Sequence, residues 1–267
     1  MIPSGRITTM SRLCSVALAA IAVGSVGFAY LARTSTPVGS ASPPVIHTIA
    51  GTGQFGLSGD GGPATLARVS PAVGAVTYDA AGSLYIADNF NHVIRRVDAL
   101  GVIHTIAGTG VAGDGADGVQ ALSSALDDPR GVAIDSSANL YIADRNNSKV
   151  RKVAPNGIVT TFYSILGPDK VVVDRHNHLF VLSGYSRVIV ELSPAGSVLR
   201  TAPANFGDIA VAKDGTIIHA DLDRLQVVRI DTAGNVTRIA GQGDSIPGFG
   251  GDGGPGSRLA LLVRSAS

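Results

Sequence analysis

No tryptophan occurs anywhere in this chain of 267 residues, and cysteine occurs once, as Cys14. A lone thiol excludes an intrachain disulfide and any multi-cysteine metal site. Charged residues make up only 15% and aromatics 5%, so the Glu/Lys/Leu bias of helical proteins is missing. No region sustains an apolar period near 3.6 residues, which disfavours a parallel α/β fold. The net charge is +1, without the basic excess that marks a nucleic-acid binder. No serine sits in a G-x-S-x-G elbow, so no nucleophilic triad assembles and no catalytic residue is assigned. Nothing in the pattern calls for an organic cofactor.

What is abundant is glycine, at 34 residues, together with short β-branched segments. The one long apolar run lies at residues 13–32, LCSVALAAIAVGSVGFAYLA, with Arg6 and Arg12 before it and Arg33 after it. Twenty helical residues at about 1.5 Å each just cross a hydrocarbon core of ~30 Å. Residues 1–33 therefore read either as a signal-anchor transmembrane helix or as a cleaved signal peptide, with small-x-small sites ending at Ala29 and Ala41. Either reading places the remainder outside the cytoplasm, membrane-anchored through residues 13–32 or secreted. Residues 34–44, TSTPVGSASPP, form an extended Ser/Pro linker. The cysteine-free Ala/Gly/Val-rich remainder leans toward a bacterial origin.

Internal repetition is the strongest signal. Residues 82–88 read GSLYIAD and residues 138–144 read ANLYIAD; an Asn-containing turn and a β-branched strand follow each, NFNHVIRRV from Asn89 and RNNSKVRKV from Arg145. Weaker copies begin at Asp174 and Lys213. The turn glycines Gly101, Gly157, Gly196 and Gly234 are spaced by 56, 39 and 38 residues, the first interval being lengthened by a glycine-rich insert. About 39 residues holding four short strands is the size of one propeller blade. LYIAD is apolar at consecutive positions, as suits a strand covered on both faces.

The sequence from Pro129 to Gly157, P-R-G-V-A-I-D, A-N-L-Y-I-A-D, N-S-K-V-R-K-V and then a turn glycine, resembles the NHL repeat. The stretch GTGQFGLSGDGGPATLARVSP at residues 51–71 looks like the inter-blade insert of bacterial and teneurin-type NHL propellers; a reduced copy spans residues 108–129 and a third begins at Gly241. The resemblance covers residues 45–260. It implies an all-β propeller of four-stranded blades at about 71–108, 129–163, 168–201 and 206–241, within a propeller domain of residues 45–241. Family members are usually six-bladed rings that bind proteins or glycans, and some are sensor parts of bacterial receptors. Four sets of inner strands are present, but five outer-strand segments, because VIHTIAG at residues 45–51 precedes the first set. Residues 242–267 open a further repeat as a truncated or disordered tail. The expectation is four blades of an incomplete six-bladed ring or an open arc, with self-association through its exposed edges.

Several motifs invite sharper readings. G-x-G-x-x-G occurs at Gly51–Gly53–Gly56 and at Gly108–Gly110–Gly113, but LSGDGGP cannot open the helix that a dinucleotide site needs. Asp60, Asp114, Asp117 and Asp252 lie in the glycine-rich loops, at spacings that match no calcium loop, so turn formation is the favoured role. His176, His178 and His219 are the only candidate zinc ligands, relevant because amidating lyases of similar propeller fold hold zinc through histidines around the axis; turn positions fit His176 and His178 better. Asp88 and Asp144 end the LYIAD strands, three residues before Asn91 and Asn147, and read as turn caps. Positions that differ between repeats are the better ligand-binding candidates, namely Phe90, Arg145, Asn146 and Tyr185. The leading expectation is an extracytoplasmic, non-catalytic binding or sensing scaffold for a protein, glycan or small ligand. The alternatives are a metal-dependent lyase or hydrolase using the central channel, and a truncated fragment without independent function.

Overall fold

Five consecutive apolar residues need cover on both sides, and the LYIAD strands find it. The computed structural model describes residues 46–71 and 73–241. Four antiparallel sheets follow one another along the chain. Blade 1 contains β1 (Val76–Tyr78), β2 (Leu84–Asp88), β3 (Val93–Val97) and β4 (Ile103–Ala107). A two-residue strand, β5 (Val119–Gln120), precedes blade 2, which contains β6 (Pro129–Ile134), β7 (Leu140–Asp144), β8 (Lys149–Val153) and β9 (Ile158–Ser164). Blade 3 contains β10 (Lys170–Val173), β11 (Leu179–Ser183), β12 (Val188–Leu192) and β13 (Val198–Pro203); blade 4 contains β14 (Gly207–Val211), β15 (Ile217–Asp221), β16 (Gln226–Ile230) and β17 (Val236–Ala240). Strand order within each blade is sequential, and β5 adds to the outer edge of β9. Apart from short 3-10 turns, the described residues are thus all-β, four blades of a β-propeller.

Every residue of β2, β7 and β11 is buried. One face of β7 and of β11 meets the blade before it and the other the blade after it, whereas β2 meets blade 2 on one face and the insert residues Ala64 and Ala67 on the other. Tyr85, Ala87 and Ile94 of blade 1 pack on Val132, Leu140 and Ile142 of blade 2. Tyr141, Ala143 and Val150 of blade 2 meet Val171, Leu179 and Val181 of blade 3, and Phe180, Leu182 and Ile189 then meet Ile209, Ile217 and Val228 of blade 4. The inner strands crowd together: a Cβ on Gly131 would lie 2.9 Å from the Val171 amide nitrogen, so only glycine fits where β6 passes β10.

The two inserts are not free loops. The first lays Ala64 and Ala67 on Leu84, Ile86, Val97 and Ile103 of blade 1, and the second adds Ala121 and Leu126 to the junction between blades 1 and 2. Each is pinned by an arginine of the third strand whose side chain is wholly buried. Arg95 reaches the Ser58 carbonyl at 3.2 Å and the Asp60 carboxylate. Arg151 donates to the Gly115 carbonyl at 2.9 Å and to Ser124 Oγ at 3.2 Å, with Asp117 at 3.1 Å and Asp114 at 3.4 Å. The acidic residues of the glycine-rich loops therefore serve guanidinium groups; Asp252 lies outside the described residues.

Two expectations need comment. The segment expected as a fifth outer strand forms none over its described part, since residues 46–50 belong to no strand; an outer strand needs a third strand beside it, and among the described residues none pairs with this segment. The N-terminal apolar run lies outside the described residues, among which no helix is long and apolar enough to cross a membrane.

Because Arg151 is buried and satisfies several insert oxygens while Asp114 is half exposed, the two ends of the pin differ in weight. Arg151→Met is expected to cost about 3 kcal/mol of unfolding free energy, and Asp114→Asn about 1 kcal/mol or less. Urea denaturation of the two variants checks the order; equal costs would place the insert's anchor elsewhere.

Candidate functional site

The turns from second to third strand in all four blades emerge at one end of the propeller, beside the connectors that enter the inner strands. A carboxylate or hydroxyl at the end of each second strand ties the two together. Asp88 Oδ1 accepts from the Ser70 amide at 2.8 Å, and Asp144 Oδ1 from the Asp127 amide at 2.8 Å. Ser183 Oγ donates to the Leu166 carbonyl at 2.5 Å, and Asn205 Nδ2 to Asp221 Oδ2 at 3.0 Å. Asn91 and Asn147 donate to Asp88 and Asp144 at 2.9 Å each, as their spacing suggests. The turns close on His92, Ser148, Arg187 and Leu225, all left-handed with φ of 55°, 55°, 53° and 50°. Four side chains without glycine's freedom hold that conformation at equivalent positions, so blade geometry imposes it rather than residue preference.

Burial pushes the Asp144 carboxyl up to about 6, against the lowering effect of the Asp127 amide, Asn147 and Arg151. Burial raises Asp88 in the same way.

Between these locks lies a charged cluster joining blades 1, 2 and 3. Arg145 donates from Nε to Asp169 Oδ1 at 3.0 Å and from Nη1 to Asp128 Oδ2 at 3.3 Å. Arg130 Nε donates to the same Asp128 oxygen at 2.9 Å. Asn89 of blade 1 donates to Asp128 Oδ1 at 3.2 Å, and the Gly184 amide of blade 3 to Asp169 Oδ2 at 3.0 Å. Lys170 Nζ reaches the Gly74 carbonyl of blade 1 at 3.1 Å. The Arg145 guanidinium also lies 4.8 Å from the centroid of the Tyr185 ring, a cation–π distance. Burial alone would lower the Arg145 pKa, but Asp169, Tyr185 and Asp128 together hold it above its ordinary value.

Of the sequence-derived candidates, Arg145 and Tyr185 are thus brought into contact. Tyr185 is 56% exposed, seated edge-on against Phe206 at 5.3 Å. Asn146 turns aside to bond Asp127 at 3.0 Å. Phe90 occupies the corresponding turn of blade 1 and is 53% exposed, and Leu222 in blade 4 is 49% exposed. Sequence reasoning missed Asp128, Arg130 and Asp169. Their signal was available in DDPRG and GPDK, where charges interrupt the entry to otherwise apolar inner strands.

The histidines sit elsewhere. His176 and His178 lie at the opposite end, ring centroids 5.9 Å apart, in an open cleft of about 400 Å³ shared with Glu191 and Lys213. His178 Nδ1 lies 3.0 Å from Glu191 Oε1, and Glu191 also accepts from Arg200. His219 is buried within blade 4. Its Nδ1 donates to the Asp208 carbonyl at 3.1 Å, and its Nε2 accepts from the Asn205 amide at 3.3 Å. Both nitrogens being engaged, with burial lowering its pKa, His219 is a neutral connector. Among the described residues no group of His, Cys, Asp or Glu is placed to hold a metal ion.

Fold and repeat together define a β-propeller of short four-stranded blades. The NHL repeat model matches residues 126–153, the connector and first three strands of blade 2. Teneurin-4 of Mus musculus is 30% identical over 210 residues, which are 73% of this chain and 7% of that protein. NHL repeat-containing protein 2 of Bos taurus is 27% identical over 139 residues, 51% of this chain and 18% of that protein. The chain spans under a fifth of the length of either relative. Among solved structures, virginiamycin B lyase from Staphylococcus aureus is similar with a TM-score of 0.49 and 15% identity, over 62% of this chain and 55% of that one. The chain belongs to the NHL-repeat proteins.

The raised Asp144 pKa carries a sign. A carboxyl whose folded pKa exceeds the unfolded value near 3.8 favours folding below that value, and the benefit is lost as pH rises through about 6. Comparing wild type with Asp144→Asn in urea at pH 4 and pH 7 isolates this group. The wild type is expected to lose up to ~3 kcal/mol relative to the variant between those pH values.

Proposed function

We propose that this NHL propeller is an extracytoplasmic, non-catalytic binding scaffold whose ligand face is the end that carries the second-to-third-strand turns. The observation that carries the reading is the presentation of half-exposed Phe90, Tyr185 and Leu222 on turns that are themselves locked to the inner-strand connectors. An apolar ring on a rigid base keeps its contact area without losing conformational freedom on binding, and aromatic anchors dominate binding energy at such surfaces. Beside Tyr185, the partly exposed Arg130 retains donor capacity toward carbonyl or hydroxyl oxygens. The chemistry suits a glycan or an extended peptide that combines flat apolar surface with such oxygens. Placement outside the cytoplasm rests on the uncharged run at residues 13–32. The metal-dependent alternative gains nothing from the histidines, since His219 is turned into its own blade, away from His176 and His178.

The test is a screen of the protein against glycan and peptide arrays, followed by affinity measurement on the hits. Tyr185→Ala combined with Phe90→Ala is expected to weaken the bound ligand at least tenfold, about 1.4 kcal/mol or more. Arg175→Ala, at the opposite end, is expected to change nothing. A ligand that responds to Arg175 and ignores the aromatics moves the site to the other end.

A further inference from the structure

Residues 45–53 and 102–110 carry the same nine amino acids, VIHTIAGTG. In the second place they form β4, with Arg96 opposite His104, Arg95 opposite Thr105, and Ile103 fully buried. In the first place residues 46–50 form no strand, and Ile46 is 98% exposed. Identical side chains cannot account for the difference, so the neighbours must. Both copies then enter their inserts by the same path: the Gly51 amide donates to the Ala64 carbonyl and the Gly108 amide to the Ala121 carbonyl, each at 2.9 Å. The inserts are seated alike, with the Ala64 amide on the Gly101 carbonyl and the Ala121 amide on the Gly157 carbonyl, each at 2.8 Å. Residues 46–50 therefore lie in line with the fourth strand of a blade standing in front of blade 1.

The incoming face of blade 1 agrees. Val76 is 50% exposed, whereas its equivalents Val132, Val171 and Ile209 are 3%, 5% and 7% exposed, each covered by the preceding blade. Tyr78, on the same face, is also half exposed. At the far end of the arc, Ala220, Val227 and Ala240 of blade 4 stand where blade 1 has Ala87, Ile94 and Ala107 for receiving blade 2. The blade 1 set is buried, and the blade 4 set is partly exposed. Gly241 repeats Gly108 as well. A Cβ on either would come within 2.2 or 2.3 Å of the carbonyl oxygen of the left-handed turn residue, Leu225 or His92. β17 has four of its five residues exposed, and shares the Ile-Ala-Gly ending of residues 49–51.

One chain thus carries both halves of a junction that it already makes internally. We propose that copies of this chain join head to tail, blade 4 of one copy seating on the incoming face of blade 1 of the next, with residues 46–50 replacing β17 as the fourth strand of that blade. Exchange of one outer strand for another leaves the number of ladder hydrogen bonds nearly unchanged. The surplus is the apolar area of Ile46, Ile49, Val76 and Tyr78 withdrawn from water. The contact is heterologous, so it closes a ring or propagates according to the rotation between copies.

In β16 and β17, Arg229 faces Thr237, and the shared ending places His47 in the position of Thr237. The test uses the full chain with Cys14→Ser, so that introduced thiols are the only ones, under mild copper–phenanthroline oxidation. With His47→Cys and Arg229→Cys, disulfide-linked species of twice the chain mass or more are expected, reversed by thiol. With Arg229→Cys and Thr237→Cys, oxidation within one chain reports the unexchanged strand and an intact blade. Adding Val76→Asp and Tyr78→Asp is expected to lower the 47–229 intermolecular product at least tenfold. The proposal is overturned if the 229–237 disulfide forms while the 47–229 pair stays reduced, if the 47–229 disulfide forms only within one chain, or if the aspartates leave the intermolecular product unchanged.

Discussion

Each blade of this protein is a sheet with two apolar faces, and such a sheet is stable only when something covers both. That requirement sets the rest of the structure. It makes the second strands continuous apolar runs, in contrast to the alternating pattern of a sheet wetted on one side. It makes stacking of neighbours obligatory, so that three cores form between blades and none inside a blade alone. It also explains the inserts: where Ala64 and Ala67 lie on Leu84 and Ile86, they cover part of a face that a blade would cover in full.

Polar groups are consequently pushed to the strand ends and the insert margins, where they do the joining. Asp88, Asp144, Ser183 and Asp221 hold the connectors at one end. At the other, Asp79 and Asp135 accept the tyrosine hydroxyls of the LYIAD strands at 3.1 and 3.2 Å, which satisfies the polar tip of an otherwise buried ring. The Arg145–Asp128–Asp169 cluster does the same work across three blades. Its two arginines are met by the carboxylates of Asp128 and Asp169, so it clamps the connectors by paired charges. The clamp leaves the rings of Phe90 and Tyr185 half exposed at this end.

Repetition made the blades legible, because a run such as LYIAD followed by an Asx turn and a VIRRV-like strand has one physical reading. A structural role for Asp88 and Asp144 was legible for the same reason, but the expected local turn cap is not what they form. Their carboxylates accept from the connector amides of Ser70 and Asp127 and from the side chains of Asn91 and Asn147. Candidate positions chosen for varying between repeats fall in different settings. Arg145 and Tyr185 meet, whereas Asn146 is spent on Asp127. DDPRG and GPDK mark Asp128 and Asp169 as charges at strand entries, but their convergence on Arg145 was illegible because they come from two different connectors, 41 positions apart. His219 looked like a third ligand on count alone; only the position of its strand shows both ring nitrogens bonded to backbone.

The duplicated VIHTIAGTG sets the limit of such reading most sharply. One copy is an outer strand with Ile103 and Ala107 buried and the other forms no strand, although the two are indistinguishable residue by residue. An outer strand has no stability of its own, because its hydrogen bonds and its apolar side chains both need the third strand and the neighbouring face. Local sequence therefore specifies what the segment can become, and the presence of a partner edge decides whether it does. In a propeller, where every blade is completed by contacts from outside itself, that dependence is felt most at the first and last described blades, whose outward faces are the more exposed.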